Sequence, residues 1–213
     1  MAGAWLDLES WERKSQFQFF RVYDQPFFNI CTEVDVSRLH ERAKAAGGPS
    51  FFLATLHLSL RAANQIPELR MRIRGERVWL HDRIHGGSTI LRDDETFAFA
   101  YFDFEPRYDR FEELGRAVIA GAQHTRGVLD PQDDRDDLIH YAVLPWIRFT
   151  SFSHARRWHR EDSVPKIVFG KYFERDGARW MPVSIEVHHA LLDGIHVARF
   201  LEQFQNALRE AEL

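Results

Sequence analysis

The chain has 213 residues, 45% of them hydrophobic and 28% charged, with a formal net charge of -4 and one cysteine. This is enough to bury one sizeable core, and no shift in composition divides it, so a single domain over residues 1–213 is expected. The balance excludes a disordered chain, the interspersed charges exclude the concentrated basic face that nucleic acid requires, and a lone Cys31 excludes an internal disulfide.

The N-terminal MAGAWLDLESWERKS lacks a basic stretch followed by an apolar core, and no apolar run is long enough to span a bilayer. The chain therefore reads as cytoplasmic, with no membrane partner. In chain order, Trp5 to Lys14 reads as a short helix, Phe17 to Tyr23 as an aromatic strand, and Phe28 to Val36 as a second strand. Ser37 suits the N-cap of a helix to about Ala46, closed by Gly47-Gly48, and Ser50 caps another that reaches Gln65 before Pro67 stops it. Arg70–Ile73, Arg77–Leu80, Ser88–Ile90 and the alternating Thr96–Phe104 read as strands of a meander or sheet edge. Pro106 to Ala122 follows as a helix and Arg126 to Asp137 as a polar surface loop. Leu138–Phe152, Ile167–Phe173 and Trp180–His188 supply three more strands. Gly194 to Glu210 closes the chain as an amphipathic helix with Val197, Phe200, Leu201, Phe204 and Leu208 inward. The sum is α+β.

The basic runs Arg70–Arg74 and Arg156–Arg160 read as solvated faces, with an anion site for a phosphorylated ligand as the alternative. No glycine-rich phosphate loop occurs.

The sharpest local signal is Val187-His188-His189-Ala190-Leu191-Leu192-Asp193-Gly194, a strand that turns into the last helix through an Asp-Gly corner. A base that removes a hydroxyl proton needs a neutral imidazole, one fixed tautomer and a rigid mount, and a strand end provides the mount. Asp193 can brace the turn by capping the helix or pairing with a cation, while Gly194 lets the backbone turn sharply. The hexapeptide alone admits three readings: a structural histidine beside a cap, a base, or a metal site. Adjacent histidines on a strand face opposite ways, which argues against a shared ion, and no metal is expected.

The stretch HHALLDGIHVARFLEQFQ, His188–Gln205, resembles the C-terminal signature of the chloramphenicol acetyltransferase family. The resemblance runs along the chain through Trp11-Glu12-Arg13-Lys14, Phe17–Arg21, Glu68–Met71, Glu95-Thr96-Phe97, Leu144-Pro145-Trp146, Phe152 and Gly170-Lys171-Tyr172. It implies a two-layer α/β sandwich with a mixed sheet covered by helices, assembled as a homotrimer with active sites between subunits. It also implies an O-acetyltransferase that moves acetyl from the co-substrate acetyl-CoA to a hydroxyl of chloramphenicol or a similar small molecule, with no cofactor held permanently. His189 is then the general base, and Asp193 pairs with Arg13 to orient the loop. Trp146, Lys171 and Tyr172 fall at the CoA nucleotide, with a plain surface residue as the other reading of Lys171; Phe19, Phe20, Phe28 and Phe97 line an aromatic acceptor slot or, as the alternative, belong to the core.

The sequence departs from the family where the oxyanion is stabilised. The serine of its Ser-x-Leu-Pro-Trp pattern is Ala142 here, and the threonine three residues before the lysine is Val168. One lost hydrogen bond to a developing oxyanion costs about 3 kcal/mol of transition-state stabilisation. Phe20 replaces a common tyrosine, and Asp24-Gln25-Pro26 stands where the family is more apolar. The alternatives are a catalytically weak or inactive small-molecule-binding protein on the same fold, an acyltransferase with a different acceptor, or metal-dependent hydrolysis.

Overall fold

A computed structural model describes residues 2–124, 131–132, 135–156 and 162–213. In chain order its elements are β1 (Gly3–Trp5), α1 (Lys14–Phe20), β2 (Phe27–Asp35), α2 (Ser37–Lys44) and α3 (Phe51–Asn64), followed by a 3-10 turn at Pro67–Arg70. There follow β3 (Met71–Arg74), β4 (Arg77–His81), β5 (His85–Leu91), β6 (Phe97–Phe102), α4 (Tyr108–His124) and β7 (Leu138–Leu144). The chain ends with β8 (Lys166–Gly170), β9 (Phe173–Arg175), β10 (Ala178–His188) and α5 (Gly194–Glu210). The large sheet runs β2-β10-β8-β7-β5-β6, with β9 paired to β10 beside β8; β1, β4 and β3 form a separate three-stranded sheet. β5, β7 and β8 are mutually parallel and every other pairing is antiparallel, so the sheet is mixed and the fold is α+β.

Alternation along β10 decides what each of its faces meets. Val183, Ile185 and Val187 are wholly buried against the core that α5 fills with Val197, Phe200, Phe204 and Leu208. Ser184, Glu186 and His188 point to the other face and are buried as well. There residues 153–156 fold back: Arg156 and His154 both reach the Glu186 carboxylate. β10 is thus covered on both faces along its last eight residues.

The closing helix starts and ends where the sequence places it, and Ser50 caps α3 by accepting from the Leu53 amide at 3.4 Å. The N-terminal expectation fails. Trp5 to Lys14 is a short strand followed by turns, and the aromatic run expected as a strand is helix α1. β propensity yields because Phe17 and Phe20, three apart, put their rings on the interior side while Phe19 stays outside. The strand expected through Phe152 stops at Leu144, because Pro145 cannot donate to a ladder. Ser37 opens α2 without capping it; the Asp35 carboxylate accepts from the Ser37 amide at 2.9 Å instead.

The run Arg70–Arg74 is neither a solvated face nor an anion site. Arg70 donates to the His81 carbonyl at 2.7 Å and Arg74 pairs with Asp136 at 2.7 Å. Arg72, 1% exposed, gives its donors to the carbonyls of Asp136, Leu69, Met71 and Leu138. Burial lowers its pKa to about 10, so it stays charged and ties the small sheet to the strand entering β7. Of the run Arg156–Arg160, only Arg156 lies within the described residues, and most of the loop at Arg126–Asp137 lies outside them. Among the described residues no helix is long and apolar enough to cross a membrane.

Candidate active site

β10 ends at His188, so His189 begins the turn that leads to α5, and its amide is held by the Pro26 carbonyl at 2.7 Å. Nδ1 of His189 lies 3.1 Å from the Leu192 carbonyl and 3.2 Å from a carboxylate oxygen of Asp193. Both neighbours can only accept, so Nδ1 carries the ring proton and Nε2 presents a lone pair. The ring lies flat on Phe20, centroids 3.8 Å apart, with Phe28 tilted against it at 4.8 Å. A third of the side chain remains open to solvent. Fixed tautomer, fixed ring and an accessible lone pair are what proton abstraction from a hydroxyl requires.

Arg13 holds this turn from the far end of the chain. Its guanidinium meets both carboxylate oxygens of Asp193 and donates to the His189 carbonyl at 3.2 Å. A bidentate fork fixes the carboxylate in orientation as well as position. The first turn of α5 has a second support: the Asp193 amide donates to Nδ1 of His196 at 2.9 Å. The one sequence sign that His196 caps its own helix is a polar side chain three residues after Asp193.

The remaining sequence-selected residues divide between two places. Phe20 and Phe28 contact His189, while Phe19 is 58% exposed and touches Phe20 and Tyr23. Trp146, Lys171 and Tyr172 gather at the opposite end of the sheet, where the Lys171 amide donates to the Ile147 carbonyl at 2.9 Å. Gly170 permits this approach, since a Cβ there would stand 2.9 Å from the Phe149 ring. The Tyr172 hydroxyl meets Nε2 of His40 at 3.1 Å, and Trp146 stands 59% exposed. Phe97 opens β6 at that same end. The register sets Gly170 beside Pro182, seven residues before His189, so the two groups lie about 24 Å apart in one chain.

Ala142, Val168 and Ser184 occupy one row across β7, β8 and β10. The methyl and isopropyl side chains offer no donor. In the same row Ser184 is fully buried, and its hydroxyl receives a hydrogen bond from the side-chain Nδ2 of Asn29 at 2.8 Å.

The sequence reading did not single out a cavity of about 700 Å³ beside the histidine pair. Phe27, Phe28 and Asn29 of β2, Glu186 and His188 of β10, and Arg156 form its walls. Burial alone would raise the Glu186 pKa, but the hydrogen bond from His154 and the charge of Arg156 hold it down to about 2. Burial lowers that of His188 to about 4, with the Arg156 charge acting in the same direction. Among the described residues, no three of His, Cys, Asp or Glu converge as metal ligands would.

A mixed sheet backed by helices, ending in a histidine locked by an arginine-aspartate pair, defines a class of acyl-transferring folds. The chain belongs to the chloramphenicol acetyltransferase family, whose model matches residues 1–205. The Escherichia coli protein named chloramphenicol acetyltransferase 2 is 29% identical over 202 residues, covering 94% of each chain; its Haemophilus influenzae namesake is 27% identical over 201. A solved structure of a chloramphenicol acetyltransferase superposes with a TM-score of 0.88 at 33% identity, over 97% of this chain and 100% of that one. A dihydrolipoamide acetyltransferase from Azotobacter vinelandii shares the fold alone, with a TM-score of 0.68 at 12% identity over 93% of this chain and 87% of that one.

Proposed function

We propose that the chain transfers acetyl from acetyl-CoA to a hydroxyl of chloramphenicol or a similar small molecule, with Nε2 of His189 as general base. The observation that carries this is the lock on His189: Nδ1–H faces the Leu192 carbonyl and Phe20 stacks on the ring, leaving Nε2 open. Nε2 takes the proton as the hydroxyl oxygen bonds to the thioester carbon. The tetrahedral intermediate then collapses, breaking the carbon–sulfur bond, and the imidazolium returns the proton to the departing thiolate. The products are an acetyl ester and free CoA. Asp193 and Arg13 orient the imidazole and take no part in the proton transfer.

Trp146, Lys171 and Tyr172 are the residues we assign to acetyl-CoA, an aromatic and cationic group suited to adenine and phosphate. Their distance from His189 in one chain supports a homotrimer in which the base of one subunit meets the acetyl group held by the next. Phe19, Phe20, Phe28 and Phe97 are assigned to the acceptor on the same basis.

Ala142 and Val168 favour a second reading, a small-molecule-binding protein with little or no turnover, because each lacks a donor where the oxyanion needs one. Thiol release from acetyl-CoA with chloramphenicol as acceptor separates the two. The parent is expected to turn over, His189→Ala to lose about 10²- to 10⁴-fold, and Ala142→Ser to accelerate the reaction. An inert parent that binds chloramphenicol as tightly as His189→Ala supports the binding protein instead.

A further inference from the structure

The two adjacent histidines carry their protons on different nitrogens. In His189 Nδ1 is the donor; in His188 Nδ1 accepts from the Ala190 amide at 3.2 Å, so the proton of its neutral ring sits on Nε2. His188 is 5% exposed and lies edge-on to Phe27 at 4.9 Å, which fixes the ring plane. The surface it retains belongs to the wall of the 700 Å³ cavity, a volume suited to a small molecule. A ligand in the cavity that supplies an oxygen to this N–H makes the hydrogen bond that water otherwise gives.

We infer that His188 binds the acceptor: its Nε2–H donates to a neutral oxygen of that molecule other than the hydroxyl that reacts. The class of acceptor follows. A neutral donor has no charge with which to attract an anion; among the charges around it, Glu186 pairs with Arg156 and His154, and Arg156 also with Asp162. Phe27 and Phe28 add apolar surface to a wall that also carries polar groups. The molecule therefore presents an uncharged oxygen to His188 and carries at least two oxygens, one to react and one to accept from that N–H. Calling the ligand an acceptor rests on the acetyltransferase reading; the donor geometry does not.

Two substitutions separate a ligand contact from a merely structural histidine. His188→Asn keeps an oxygen near the Nδ1 position for the Ala190 amide and loses the distal N–H. His188→Gln restores an N–H near the Nε2 position and gives up the Ala190 bond. With chloramphenicol as the probe and calorimetry as the readout, the Asn variant is expected to bind about tenfold more weakly, the effect of one hydrogen bond, while the Gln variant binds like the parent. Nitrogen-15 spectra of the parent should show His188 protonated at Nε2 and that resonance moving as chloramphenicol saturates. The opposite tautomer, the reverse order of the two variants, an unmoved resonance or no binding to the parent each overturns the inference. Binding with the expected order but no thiol release defeats the acetyltransferase reading and leaves the contact standing.

Discussion

The two ends of β10 are built on different plans. At the His189 end the turn is held from within the chain: Arg13 on Asp193, Leu192 on Nδ1, Phe20 on the ring, and His196 on the helix start. At the other end Trp146 and Lys171 stand exposed, with backbone contacts, the Tyr172–His40 bond and the Tyr172–Phe51 ring contact around them. A locked imidazole loses little freedom when it acts, whereas exposed side chains are ordered by what they bind. The contrast separates a site prepared in advance from one that is completed by another molecule.

Acid gives the largest test of the prepared end. His188 protonates near pH 6.5 in the unfolded chain but only near pH 4 when folded. The unfolded chain therefore binds more protons between those values, so the contribution is complete above about pH 6.5 and is lost as pH falls toward 4, at most about 3 kcal/mol. Buried His57 and His196, both also lowered by desolvation, act in the same direction, and Glu186 adds a second loss from pH 4.5 toward 2. Urea midpoints measured from pH 7.5 to 4.5 should fall steadily, and His188→Gln should flatten part of that slope. A slope unchanged in the variant would show that His188 is not the group that titrates.

A smaller effect, about 2 kcal/mol, is expected from Asp193→Asn, which leaves the mostly buried Arg13 guanidinium without its anion. Its melting temperature and kcat should drop together while the KM for acetyl-CoA stays put. The smallest effect belongs to the open end. Lys171→Ala should raise the KM for acetyl-CoA about five- to tenfold, as the loss of a largely exposed cation would, with kcat and stability unchanged. Equal effects of Asp193→Asn and Lys171→Ala on stability would remove the distinction between the ends.

Much of this was legible in the chain. The apolar positions of Gly194–Glu210 repeat at helical spacing and the helix is where they put it, because packing and propensity agree there. His189, Asp193 and Arg13 were selected from sequence and meet in space, although 180 positions separate Arg13 from Asp193. Phe17 to Tyr23 reads as a strand because aromatic residues score as strand formers, and only the spacing of three between Phe17 and Phe20 betrays helix α1. Nor could sequence supply the cavity: its walls come from β2, β10 and the 153–156 segment, joined through Glu186 and Arg156, whose pairing no local pattern encodes.

The buried Arg72 has a consequence for how the molecule comes apart. Its planar fork holds carbonyls from the 3-10 turn, from the start of β3 and from both sides of the entry to β7. Pulling the small sheet away would leave a charge and several carbonyls unmatched in the interior at once. The three-stranded sheet therefore has no inexpensive opening of its own, and its amide hydrogens are expected to exchange with those of the large sheet as one cooperative unit.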